Sequence, residues 1–341
     1  MDEHIIELKS KRKFGVEFEV NSFDNRDFIK FPLNKDLQEL PYGSYEIANL
    51  ISNNISKKTV VKTFERTHNN NFWVVKPDRT CGIEICSPVL TKRSINKICK
   101  LCDLFKKDKN IIADERCSFH VHVEIFDKKY DDILEMNKIF FKIISYWIKF
   151  EAVFLDSVPE QRKMNPYCKS IGLSGIFDYY YHNNDLYLYN VIKKLGEHKY
   201  YTINCFQYFS IRKRNTIEFR IAENNACIDS KFAKNWVKLL LHFVECAIQA
   251  PDILPYNGDP RTGFCWLDLL DLIEFLKLSN NYNISKELKE VRNWFIARIF
   301  KNVTNNNKMN NVWSISTRKN TLNQLSFLKK EFGIKDFEKY L

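Results

Sequence analysis

Glycine and proline are scarce, nine of each in 341 residues, which excludes collagen-like repeats and low-complexity tracts. Long apolar runs are missing as well. The longest, Ile139 to Leu155, is broken by Lys142, Lys149 and Glu151, so it offers no stretch of about 18 uncharged residues for a membrane helix. The opening MDEHIIELKS has neither the basic n-region nor the apolar h-region of an export signal. The expectation is a soluble, cytoplasmic protein that does not act on membranes. Ten cysteines are too thin for a disulfide framework in a chain of this length. The single CxxC, Cys99 with Cys102, has no second pair to complete a zinc site and is read as one side of a helix. Cys86, Cys205 and Cys246 sit among apolar neighbours and are expected to be small core residues. No GxxxxGK[ST] loop and no GxGxxG fingerprint occurs, so phosphates would have to be held by other means.

What the sequence has in excess is positive charge. Fifty-three Lys and Arg against 42 Asp and Glu leave +11, a balance that favours anionic partners. The excess is spread over short clusters such as Lys11-Arg12-Lys13 and Arg212-Lys213-Arg214. A solvated basic surface accounts for these as well as a nucleic-acid groove does.

Strand-like and helix-like pieces alternate. Phe14 to Val20 puts Phe14, Val16, Phe18 and Val20 on one side and Glu17 and Glu19 on the other, the period of a half-buried strand. Tyr45 to Ile55 reads as a short helix. Thr59 to Arg66 and Phe72 to Lys76 read as strands joined by a turn at Asn69-Asn70-Asn71. A short strand in PDRTCGIEICSPVL follows, then a helix with Ile95, Ile98, Cys99, Cys102 and Phe105 on one face. Ser118 to Ile125 is a strand. The next helix, from about Asp131 to Phe154, carries Ile133, Met136, Phe140, Ile143, Ile144 and Trp147. Tyr200 to Ile211 and Thr216 to Ala222 suggest a hairpin turning at Lys213-Arg214-Asn215, and Phe232, Trp236, Leu239, Leu240, Phe243 and Ala247 line another helix. Pro251, Pro255, Gly258 and Pro260 mark a boundary, giving a domain over 1–255 and a helical extension over 256–341, where Ser285 is placed to cap a helix. The fold class is α+β, with much of the pairing antiparallel.

The polar faces of these strands carry the chemistry. Alternate residues on a strand share a face about 7 Å apart, so Glu17 pairs with Glu19, His120 with His122 and Glu124, and Glu218 with Arg220. Glu84 stands between Ile83 and Ile85, and Asp78 lies just upstream. Each such motif alone is ordinarily a solvated face or a surface ion pair. Gathered on one sheet, each carboxylate pair would cost roughly 2 kcal/mol at an effective dielectric of ~20, so cations are expected among them. Oxygen donors suit Mg²⁺ or Mn²⁺, and a histidine suits Mn²⁺ better.

The ordered set FGVEFEV, CGIEICSPVL, FHVHVE, RKMNPYC, YYTINCF and NTIEFRIAE resembles the amidoligase family, carboxylate-amine ligases related to glutamine synthetase and glutamate-cysteine ligase. The resemblance covers about residues 13 to 250. It implies a curved antiparallel sheet of the glutamine synthetase catalytic type, with helices packed on one face and a C-terminal helical region beyond. It also implies ATP and two or more Mg²⁺ or Mn²⁺ ions as cofactors. Glu17 and Glu19 would bind different ions, Glu84 and Asp78 completing one site and His120 and Glu218 the other. His122, Arg220 and Arg212 would contact ATP, with Glu218 and Arg220 acting on the transferring group. Arg162, near Asn165 and Tyr167, would hold the nucleotide or a substrate carboxylate. Two departures stand out: the Asp78-Arg79-Thr80-Cys81-Gly82 turn is compact, and Ser118 occupies a position where glycine is usual.

The reaction implied is ATP-dependent amide formation through an acyl phosphate, between a carboxylate and an amine of a peptide, a protein or a small amino-acid-like substrate. A metal-dependent phosphotransferase or nuclease on the same acids, or an inactive binding module, are the competing readings. Oligomeric state is not legible here.

Overall fold

The computed structural model describes residues 5–8, 11–22, 43–62, 71–78, 80–126, 133–171, 199–205, 215–252, 267–305 and 315–341. They fall into two compact units. One comprises Ser10–Glu124 and Glu218–Val237; the other comprises Met1–Lys9, Ile125–Ile217 and Lys238–Leu341. The boundary expected at Pro255 lies among residues 253–266, outside the described residues, as do Arg212, most of the expected turn at residues 213–215 and two of the three asparagines of the expected turn at residues 69–71.

The first unit is built on a sheet whose strands alternate bulky apolar and polar residues, the pattern that a pleated surface with one covered face selects. Its strands are β1 (Phe14–Ser22), β2 (Thr59–Val61), β3 (Trp73–Asp78), β4 (Gly82–Cys86), β5 (Ile111–Ile112) and β6 (Phe119–Glu124). The sheet order is β2-β3-β4-β1-β6 and then β8 (Thr216–Phe219), whose Glu218 and Phe219 belong to this unit. The order does not return to β2, so the sheet is open. Antiparallel ladders join β1 to β4, β1 to β6 and β3 to β4. The expected Thr59–Lys76 hairpin is corrected: β2 and β3 run parallel, and a parallel pair cannot be closed by a tight turn.

Phe14, Val16, Phe18 and Val20 are all buried, with Val75, Ile83, Ile85, Val121 and Val123 beside them in the sheet. Helix α1 (Ser44–Asn54) contributes Ile47 and Ile51, and α2 (Ile95–Lys107) contributes Ile95, Ile98, Leu101, Cys102 and Phe105. Phe105 meets Phe18 edge-on with ring centroids 5.9 Å apart. Leu101 takes the inner position expected for Cys99, which is only half-buried. Cys99 and Cys102 thus lie on a helix, as their spacing predicts, and both thiols face backbone carbonyls, of Ser230 and Ala226.

The second unit is mainly helical. Its centre is α3 (Ile133–Asp156), where Phe140, Ile143, Ile144 and Trp147 are buried as expected. Burial extends all round its C-terminal half and takes in Lys149 and Glu151. Glu151 accepts hydrogen bonds from Ile171 N (2.9 Å), Ser170 Oγ (2.5 Å) and Thr202 Oγ1, and Trp147 Nε1 donates to the same Thr202 hydroxyl at 3.0 Å. That carboxylate therefore anchors two segments that follow a short helix, α4 (Glu160–Lys163), one of them running into β7 (Ile203–Asn204). Helix α5 (Ser230–Gln249), whose residues as far as Val237 belong to the first unit and the rest to the second, buries the six apolar residues expected of it.

Beyond it lie α6 (Leu269–Phe275), α7 (Lys286–Asn305) and α8 (Ile315–Glu331). Ser285 Oγ accepts from Leu288 N at 3.3 Å, the cap its position predicts. α7 packs on α3 and α8, with Phe295 5.6 Å from Phe154. No helix among the described residues is long and apolar enough to cross a membrane.

Candidate active site

Ladder register decides which side chains meet. Glu17 stands opposite His120 on one side and Cys86 on the other, and Gly15 opposite His122. Glu19 stands opposite Glu84, and Glu84 opposite Lys76. Because alternate residues share a face, Lys76, Asp78, Glu84, Cys86, Glu17, Glu19, Ser118, His120, His122, Glu218 and Arg220 project from the side of the sheet away from Phe18 and Val121.

His120 is the most connected of these. Its Nδ1 lies 3.3 Å from Glu17 Oε2, 3.3 Å from Glu218 Oε1 and 3.5 Å from an Arg220 guanidinium nitrogen. Its Nε2 lies 2.7 Å from Ser118 Oγ and 3.7 Å from Glu19 Oε1. Ser118 Oγ also donates to Glu19 Oε2. His122 Nε2 reaches Glu17 Oε1 at 3.1 Å, and Arg220 pairs with Glu218. On the other flank Glu84 Oε1 takes Lys76 Nζ at 2.9 Å and the Cys86 thiol at 2.8 Å.

Burial and neighbouring charge set the protonation of these groups. Burial raises Glu17, but the charge of His122 and hydrogen bonds from both histidines outweigh it and hold the carboxyl well below its ordinary value. Burial also raises Glu218, and the Arg220 guanidinium overrides it, keeping Glu218 low. Glu19 behaves in the opposite way: burial, with the charge of Asp78, pushes it up to about 8. Burial and the charge of Glu17 push Glu84 up to about 7, against the pull of Lys76. Burial and the Arg220 charge drop His120 to about 4, leaving a neutral imidazole at pH 7.

Two groups of donors lie close enough to share an ion: Glu17, His122 and Glu218, and Glu17, Glu84 and Cys86, the donor atoms within each group lying within 4.8 Å of one another. The first set, two carboxylates and an imidazole, matches the hard oxygen and nitrogen donors that Mn²⁺ or Mg²⁺ takes. The second includes a thiol, a softer donor.

Glu17, Glu19, Glu84, His120, His122, Glu218 and Arg220 thus come together on one face, while the distribution of partners has its own pattern. Glu17 belongs to both groups. Glu19 leans to Ser118 and His120. Asp78 Oδ1 accepts from Thr80 N (2.7 Å), Thr80 Oγ1 and Cys81 N (3.1 Å), closing the compact β3–β4 turn, and those bonds outweigh burial to keep its carboxyl low. Gly82 completes that turn at φ +105°, where a Cβ would come within 2.9 Å of Asn21 Oδ1. Arg162 is a buried residue of α4 in the second unit.

Cys86 requires a correction: it is buried, yet its thiol lies on the polar face beside Glu84 rather than among core side chains. Its position two residues from Glu84 was the signal. Lys76 and Ser118 carry the same signal, two residues from Asp78 and His120 respectively.

No curated protein matches the chain. Among solved structures it is similar to a bifunctional glutathione synthetase from Pasteurella multocida, at 9% identity and a TM-score of 0.40 over 92% of this chain and 52% of that one. The chain therefore spans about half the length of that protein, and a likeness this slight supports no inference. A family model described as "Putative amidoligase enzyme" matches residues 10–244, a stretch that contains every residue of the polar face described above. The chain belongs to the amidoligase family.

Proposed function

We propose that the protein is an ATP-dependent carboxylate-amine ligase that works through an acyl phosphate. One observation carries this beyond family membership: Glu17 stands at the junction of two groups of donor atoms, with a guanidinium and two imidazoles within reach of the same carboxylates. In the reaction, a substrate carboxylate oxygen attacks the γ-phosphorus and the bond to the β-phosphate oxygen breaks, releasing ADP. An amine then attacks the acyl carbon, the carbon–oxygen bond to phosphate breaks, and the amine gives up a proton. Phosphoryl transfer asks for positioning and charge neutralisation more than for a protein nucleophile.

Glu17, His122 and Glu218 would hold Mg²⁺ or Mn²⁺, and an ion there supplies Lewis-acid screening of phosphoryl oxygens. Arg220, oriented by its pair with Glu218, is placed to meet negative charge on a phosphate. His120 is a neutral imidazole between Glu17 and Glu218, so it separates the two carboxylates without adding a charge of its own. The substrates fitting this chemistry are a carboxylate and an amine from amino acids, peptides or a protein.

The test is to incubate the chain with ATP, Mg²⁺ or Mn²⁺ and pooled amino acids and peptides. ADP and phosphate should form only when both a carboxylate and an amine are present, with a condensation product seen by mass spectrometry. Cleavage of nucleic acid with metal and without ATP would instead point to the nuclease reading.

A further inference from the structure

Helix α2 sends its apolar residues toward Phe18 and turns a different face to solvent. Lys97, Lys100, Lys106 and Lys107 are all exposed on it, and Asp103 is the one acid in the helix. Spacings of three and seven residues put Lys97, Lys100 and Lys107 along one outward stripe, with about 10 Å of helix axis between the last two. Lys100 Nζ donates to the Asn54 carbonyl at 2.7 Å, which ties α2 to the C-terminal end of α1. Lys57 and Lys58 follow Asn54 by three and four residues, so their backbone starts within about 15 Å of it, and both are exposed. That segment is held in place: Ser56 N donates to Ile51 O at 3.0 Å, and Trp73 N to Lys58 O at 2.9 Å. Among the described residues none of these six lysines is held in an ion pair. We infer that this lysine face is a docking surface for nucleic acid, gripped by its phosphodiester backbone without regard to base sequence.

The composition of the face selects the partner. Protein interfaces are depleted in lysine and anchored by aromatic side chains, and the exposed large apolar residues of the described chain include none on α2 or on residues 54–58. A membrane surface asks for an apolar face to insert beside the basic one. Helix α2 has committed that face to the core, where Ile98, Leu101, Cys102 and Phe105 are buried. A nucleic-acid duplex carries one charge per ~1.7 Å of its axis, and lysines that neutralise it release condensed counterions, a gain that needs no contact with a base. The net charge of +11 adds attraction at long range. The face lies on the helix-covered side of the sheet, since Phe105 meets Phe18, whereas Glu17 and Glu218 project from the other side. Nucleic acid docked here does not use the polar face, so the inference stands apart from the ligase reading.

The experiment follows the fluorescence anisotropy of a labelled mixed-sequence DNA duplex titrated with the full chain, between about 50 and 200 mM salt and with divalent metal chelated. The wild type should bind, with log K falling against log salt at a slope of about −5, near 0.9 for each lysine engaged. Lys100→Gln combined with Lys107→Gln should make that slope shallower by about 2 and weaken binding at least about tenfold at the lowest salt. Lys57→Gln combined with Lys58→Gln, between α1 and β2, should do the same, and it keeps the test decisive if loss of the Lys100 contact to Asn54 impairs folding. Glu17→Gln should bind the duplex as the wild type does. No binding at the lowest salt, or binding that both double variants leave unchanged, would overturn the inference. Loss of binding in Glu17→Gln would move the duplex to the polar face and overturn it as well. Equal affinity for polyglutamate or for phosphatidylserine vesicles would show a different partner and overturn the assignment to nucleic acid.

Discussion

Glu17 faces His120 across the β1–β6 ladder, and the imidazole Nδ1 lies 3.3 Å from the carboxylate. The contact links β1 to the Glu218–Arg220 pair, because the same nitrogen lies equally near Glu218. Changing Glu17 should therefore disturb chemistry far more than folding. Glu17→Gln keeps the shape and removes the charge. It is expected to lower Mn²⁺ affinity by more than the ~10- to 100-fold that loss of a supporting contact costs, and to abolish ADP release. Far-UV circular dichroism should stay unchanged, and a variant with full activity would remove Glu17 from the site.

Ser118 links Glu19 to His120 through one hydroxyl. Ser118→Ala leaves a buried carboxyl without that donor, at a cost of about 1–3 kcal/mol measurable by urea denaturation. Activity should fall too, since the imidazole loses the contact that fixes its Nε2. A variant as stable and active as the wild type would show the bridge to be incidental.

Glu151 satisfies three donors inside the helical unit. Glu151→Ala strands a backbone N–H and two hydroxyls in the interior, with an expected loss of about 3 kcal/mol or more. Glu151→Gln retains an acceptor and should cost less. Equal losses for the two would mean that packing volume, not hydrogen bonding, matters there.

Gly82 holds a left-handed turn in which a Cβ would crowd Asn21. Gly82→Ala should destabilise by at least about 1–2 kcal/mol, read as a lower midpoint in a thermal melt.

His242 is buried, with its Nε2 2.8 Å from the Leu276 carbonyl, and burial holds its pKa below the ordinary 6.5. The unfolded imidazole takes up a proton near pH 6.5, whereas the folded one does so only at lower pH. The unfolded state therefore binds more protons in that window, and stability is lost as pH falls from about 6.5 toward the folded value. Comparing melts at pH 7.5 and 5.5, the wild type should lose more stability than His242→Asn. Identical slopes would count against the assignment.

The alternation in FGVEFEV, GIEIC and FHVHVE made the strands and their polar faces legible, because a period of two allows only one way to bury Phe14, Val16 and Phe18. Helix α2 and the Ser285 cap were readable for similar reasons, from spacing and from a side chain suited to bind a free N–H. What spacing cannot convey is which strand lies beside which. The parallel β2–β3 pair was read as a hairpin because closeness in sequence favours that connection. Lys76 and Cys86 were passed over because their importance comes from standing across a ladder from Glu84 and Glu17, a relation that register alone creates. Asp78 was expected to hold a metal ion. Its hydrogen bonds to Thr80 and Cys81 show a task in shaping the turn that composition does not announce.

Lys76, Asp78, Glu84, Cys86, Glu17, Glu19, His120 and His122 are each delivered by a strand, at alternate positions, against a neighbour fixed by backbone hydrogen bonding. Sliding β1 by a single residue would turn Glu17 and Glu19 inward and bring Val16 and Phe18 to the surface in their place. Chemistry and correct strand alignment are thus inseparable in this protein. A chain misaligned at β1 would lose Glu17 and Glu19 from the face, and inserting one amino acid within β1 should silence it as completely as deleting those two carboxylates.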